Sequence, residues 1–152
     1  MCTKVKDAVV LKGPITAYKV VAITEEKEFV SPYMNWPWEP SPRTISDPST
    51  DSVNAIRENV YWSMCQAGLA FHSFKNLEDA LALARADKEI FPARLANLKM
   101  VVIRVVLDGF IFEGTTDGMG QEHKGKTAYI SNKIKWEGRY TLNGKRWYTK
   151  KG

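Results

Sequence analysis

The residues with the most chemical potential lie at the end of the chain. Lys124 to Gly152 hold nine Lys or Arg and a single acid, Glu137, for a local charge of +8. The first 123 residues hold 13 basic and 16 acidic residues, for −3, and the whole chain carries +5. A mildly acidic body with a basic terminal segment attracts polyanions. Period-two alternation places Tyr129, Lys133 and Lys135 on one face of a strand over 127–136. Ala128, Ile130, Ile134 and Trp136 take the other face, read as the core side. Asn143-Gly144 is a two-residue hairpin signal that pairs Tyr140 with Trp147 and Arg139 with Tyr148. Arg139, Arg146 and Tyr148 then share a face opposite Tyr140, Leu142 and Trp147. Cations interleaved with rings suit phosphate contact and base stacking. Lys133, Lys135, Arg139, Arg146, Trp147 and Tyr148 are therefore the candidate binding residues, and Lys150 and Lys151 extend the patch. The implied partner is anionic: a nucleic acid, a nucleotide, a ribonucleoprotein or an acidic protein surface. A solvated basic edge competes with that reading, because lysines blunt exposed sheet edges and a ring pair is ordinary hairpin packing.

A second concentration of rings is Tyr33, Trp36 and Trp38, set among prolines in SPYMNWPWEP. Such rings stack on a base or anchor a partner surface, or else plug the rim of the core. The two histidines, His72 and His123, stand far apart and fit no zinc spacing. His72 faces opposite to Phe71 in its strand, so it lines a pocket or points to solvent. Residues 114–126 carry four glycines and read as a mobile loop, without a Walker pattern. No GxSxG and no HExxH occurs. No catalytic motif, metal site or cofactor is expected on these grounds, and a binding role is favoured over an enzymatic one.

These residues need a scaffold, and the pattern predicts an α+β single domain over 1–152. It is a mostly antiparallel twisted sheet with one main helix and a C-terminal hairpin. Thr16–Thr24 reads as a strand, FVSPY as a short one, and Lys99–Leu107 as the strongest. Asp108-Gly109 looks like a turn into FIFE, a second hairpin. The five prolines of 31–52 (Pro32, Pro37, Pro40, Pro42 and Pro48) impose a long loop. A short helix from Ser52 to Asn59, a strand Val60–Met64 and a strand Leu69–Phe74 follow. The main helix runs over about 76–91, with Asn76 as N-cap, Glu78 and Asp79 in the first turn, and a stripe of Leu77, Leu81, Ala84 and Phe91. Pro92 ends it.

The apolar fraction of 44% is that of a globular protein, and no segment reaches the roughly 18 apolar residues of a membrane span. The N-terminal VKDAVVL is broken by Asp7 and too short for a signal-peptide core. Two cysteines, Cys2 and Cys65, make no disulfide framework, and Cys2 sits in a terminus expected to fray. A cytoplasmic, reducing setting without membrane contact is the expectation.

AYKVV, FVSPY with a following Trp-Pro, AGLAFHSFKNLEDALALA, VVIRVVLDGFIFEG and TAYISNKI together resemble a group of small bacteriophage and bacterial proteins. The resemblance implies a phage-encoded inhibitor of host defence, of the anti-CRISPR kind. GLAFHSFKNLEDA is also similar to the middle of an ADP-ribosyltransferase fold. That likeness implies a cleft near Tyr18, Tyr33, His72 and Glu113 that binds NAD, with Glu137 as another late acid. The first strand offers Tyr18-Lys19 where that family places Arg or His, which fits a degenerate relative better than a working enzyme. A nucleotide-sequestering sponge, closed by the Trp loop and the basic strand, is a third reading.

Overall fold

The computed structural model describes residues 2–25, 29–30, 37–38, 43–44, 71–86, 98–117, 121–140 and 147–148. The described elements are β1 (Cys2–Leu11), β2 (Ile15–Ile23), β3 (Phe29–Val30), β4 (Pro37–Trp38), β5 (Arg43–Thr44), β6 (Phe71–Phe74), α1 (Leu77–Ala84), β7 (Lys99–Asp117), β8 (Thr127–Tyr140) and β9 (Trp147–Tyr148). A 3-10 turn at Gln121–His123 lies between β7 and β8 in the chain. All described strand pairs are antiparallel, in the order β1-β7-β8-β6-β2-β3-β4. This is the expected α+β arrangement of a mostly antiparallel sheet with one described helix. The expected elements at 52–59 and 60–64 lie outside the described residues, as do Tyr33, Trp36, Cys65, Arg146, Lys150 and Lys151.

The sheet closes on itself. β2 pairs β7 from Ile15↔Leu107 to Ile23↔Lys99, β7 pairs β8, β8 pairs β6, and β6 returns to β2 through Tyr18↔Phe74. Strands buried on both faces read as continuous apolar runs, as VVIRVVL does. The odd residues of β2 and the first half of β7, with Phe71, Ile111, Tyr129 and Ile134, form one core cluster. Val20, Ala22, Met100, Val102 and Phe74 form the second, and α1 covers it with Ala80, Leu81, Leu83 and Ala84. Leu81 and Leu83 are almost fully buried, worth about 1.5–3 kcal/mol each.

Several expectations change. Asp108-Gly109 is not a hairpin turn: β7 runs through it unbroken for 19 residues. Gly109 has φ +71, and the register with β8 shifts between Asp108↔Lys133 and Ile111↔Ser131, so Gly109 and Phe110 stand opposite Asn132 alone. This is a bulge led by a left-handed glycine, which the same dipeptide serves as readily as it serves a turn. The Phe110 N–H donates to Asn132 Oδ1 at 2.9 Å, a side-chain oxygen taking the place of a ladder carbonyl. The helix is shorter than expected within the described residues, ending at Ala84 with Arg85 as C-cap. Asn76 is the N-cap by position but makes no capping bond; its side-chain amide donates to Asp79 instead. Cys2 does not begin a frayed end, since β1 pairs β7 from Cys2↔Asp117 to Leu11↔Ile111.

The described part of the glycine-rich segment 114–126 is not an open loop either. Gly114 to Asp117 belong to β7, and Thr116 holds the connection to β8. Its hydroxyl donates to the His123 carbonyl and accepts from the Lys126 N–H, while its N–H and carbonyl bond to Lys126 and Gly125. Thr116→Val removes the hydroxyl from a buried site and leaves two backbone groups unmatched. A loss of about 1–3 kcal/mol in urea unfolding is expected, with Thr116→Ser recovering most of it.

Candidate anion-binding face

β8 carries three of the candidate cations, and its position in the sheet decides what they can do. β7 pairs one edge of β8 along its length. The other edge is taken in turn by β6 at Ala128–Ser131, by β5 at Lys133–Ile134 and by β9 at Arg139–Tyr140. Lys133 is therefore flanked by strands on both edges, whereas Lys135 is paired by β7 and has no partner on the other edge among the described residues. Arg139 pairs Tyr148 and Tyr140 pairs Trp147, the register expected from Asn143-Gly144.

Directly paired residues share a face, so the register sorts the cations. Lys133 and Lys135 stand opposite Asp108 and Val106, on the side of the sheet that α1 covers farther along. Lys135 is exposed and Lys133 half-buried. Arg139 pairs Ile103 and so belongs to the other face. The expected grouping of Tyr129 with Lys133 and Lys135 does not hold. Tyr129, Ile134 and Trp136 all adjoin the first cluster, whereas Ala128 and Ile130 are buried outside it. Strict alternation fails because Asn132, 0% exposed, turns its side chain to the bulge and breaks the period. A further bulge leaves Glu137 unmatched between Arg104↔Gly138 and Val105↔Trp136. Glu137 there meets Arg104 at 3.4 Å, Nε to Oε1. Beside this pair, the Tyr18 and Tyr140 rings lie 6.0 Å apart at 58°. Burial and the neighbouring Tyr140 hydroxyl push the Tyr18 phenol upward, against the pull of Arg104.

The residues of the NAD-cleft expectation are dispersed. Glu113 pairs Tyr129, which pairs Ser73, whereas His72 pairs Ile130, which pairs Phe112. Neighbouring rows point to opposite faces, so Glu113 and His72 do not converge. Tyr18 reaches β6 at Phe74, and Tyr33 lies outside the described residues. Burial, with the Lys19 ammonium nearby, lowers His72 to about 3. An imidazole tuned that low is poorly matched to proton transfer near neutral pH. Burial, then Glu113, raises the Tyr129 phenol.

Sequence reasoning missed Lys19. It is 9% exposed on the face of Ala17 and Val21, and its Nζ donates to the His72 carbonyl at 2.8 Å. A lone cation on the apolar side of an alternating strand was the available signal. Ser73 and Ser131, both 0% exposed, carry hydroxyls on that side without a hydrogen-bond partner among the described residues. Among the described residues, no group of His, Cys, Asp and Glu could hold a metal ion, and no helix is long and apolar enough to cross a membrane. Comparison with protein-family models, with curated proteins and with solved structures finds no match to this chain.

Proposed function

We propose that this is a non-enzymatic binding protein that engages an anionic partner through the face bearing Lys133 and Lys135. The observation that carries the reading is that Lys133 lies where β8 is paired on both edges, with Lys135 two residues along on the same face. Lysine on an edge strand protects the edge; on an interior strand that explanation lapses, and a cationic face remains. The Tyr18–Tyr140 ring pair and Arg104 border the same face. Arg139, in register with Tyr148, extends the charge to the opposite side at the β8–β9 hairpin. In the setting that the phage resemblance implies, the partner is a nucleic acid, a ribonucleoprotein or an acidic surface of a host defence complex.

The test is retention on heparin and binding of labelled nucleic acid, followed as salt is raised. Lys133→Glu with Lys135→Glu should weaken binding roughly a hundredfold at low salt and reduce the salt slope by about two. Wild-type affinity and slope in that double variant, with its melting temperature intact, would overturn the reading.

A further inference from the structure

The bulge at Gly109 shapes more than the strand. Beside it lies an open cleft of about 340 Å³ lined by Leu11, Lys12, Gly13, Asp108, Gly109 and Phe110. That volume is at the small end of ligand sites and suits one planar heterocycle. Its chemistry is mixed in a specific way. Phe110 supplies a half-buried ring whose backbone is fixed by the Asn132 bond. Asp108 is exposed and its carboxylate is steadied by the Gly109 N–H at 2.8 Å, with lone pairs remaining for another donor. Lys12 is exposed at the rim. The Lys133 stem crosses Gly109 so closely that a Cβ there would lie 3.0 Å from Lys133 Cδ. Lys133 therefore borders the cleft at Gly109, and Lys135 lies two residues farther along β8 on the same face.

We propose that this cleft receives one base of a single-stranded nucleic acid. Phe110 is the stacking platform, Asp108 accepts a hydrogen bond from an exocyclic amino group, and Lys12, Lys133 and Lys135 hold the flanking phosphates. The inference rests on the anionic-partner reading and narrows it. A base inside a duplex is stacked and paired and cannot enter without being flipped out, so the single strand is the fitting form. Ring stacking with cationic tracking of the backbone is how such strands are held. A carboxylate in the cleft selects cytosine, whose N4 is a donor, over thymine, whose O4 is an acceptor.

Fluorescence anisotropy of the full chain with short labelled oligo-dC, oligo-dT and a duplex provides the test. Oligo-dC should bind about tenfold more tightly than oligo-dT. Asp108→Asn should bring the two toward equality. Phe110→Leu, which keeps most of the apolar volume, should cost about tenfold on oligo-dC. Lys12→Gln, at an exposed position, should reduce the salt slope by about one without affecting folding. Oligo-rC in a parallel titration separates an RNA partner from a DNA one. Equal binding of oligo-dC and oligo-dT by the wild type, or wild-type binding by Phe110→Leu, overturns the base site. If heparin binding still responds to the Lys133→Glu, Lys135→Glu pair, the anionic-partner reading survives that failure. If heparin does not bind, both fall together.

Discussion

Gly109→Ala should lower stability by about 3–5 kcal/mol and the melting temperature by about 10 °C or more. Two costs combine. At φ +71 the backbone is in the left-handed region, which charges any side chain about 1–2 kcal/mol. The added Cβ would also overlap Asn132 Oδ1, in a place where Asn132 is 0% exposed and has no room to withdraw. Moving Asn132 breaks its bond from the Phe110 N–H and leaves that donor unmatched. Gly125 provides the comparison. Its φ is +77, but an added Cβ there meets nothing within 4 Å. Gly125→Ala should therefore show the backbone cost alone, about 1 kcal/mol. Urea unfolding of the two variants reads the difference, and Asn132→Ala combined with Gly109→Ala should cost less than the two changes summed. Equal losses at Gly109 and Gly125 would show that the overlap carries no weight.

Acid should reveal His72. Its folded-state pKa of about 3 lies below the unfolded value of 6.5, so the unfolded chain takes up a proton that the folded one refuses. Stability from this group is thus complete above pH 6.5 and is lost as the pH falls toward 3, by up to about 1.4 kcal/mol per unit. Over the window the loss is on the order of 4 kcal/mol. Carboxylates titrate in the same range, so the informative quantity is a difference. Wild type and His72→Gln, unfolded in urea from about pH 7 to about pH 4, should diverge, the wild type losing stability faster. Parallel curves would mean that His72 gains its proton in the folded protein as readily as in the unfolded chain. Lys19→Met should raise the folded pKa of His72 by removing the neighbouring ammonium, and so shallow the wild-type loss.

How much of this was legible depended on which interactions were local. The Arg139↔Tyr148 register was readable because a two-residue turn predicted at Asn143-Gly144, itself outside the described residues, would fix it. The helix was readable from its apolar stripe and acidic first turn, and α1 begins where Asn76 indicated. Asp108-Gly109 misled because the dipeptide specifies a left-handed backbone, not a reversal. Only the strands lying on both sides, β1, β2 and β8, show that the chain continues straight. The same bulge shifted the alternation along β8, so Lys133 and Lys135 were grouped correctly while Tyr129 was not. The N-terminal strand was passed over because its pairing partner, residues 111–117, was expected to form a turn strand and a loop. Alternation places Lys19 on the apolar side of its strand, but the enclosure of that side depends on a closed circuit of strands distant in sequence.

That circuit is unevenly sewn. β2 is joined to β7 along its whole length, whereas among the described residues it meets β6 at Tyr18↔Phe74 alone. β7 and β8, neighbours in sequence, are the long staves that close early in folding because little chain entropy is lost in bringing them together. The β2–β6 joint, with one described pair, is the place where the circuit is expected to open first. A ring with one weak stitch breathes at that stitch. Each such opening would wet the face of Lys19, Ser73 and Ser131 while β8, paired to β7 along its length, keeps its shape.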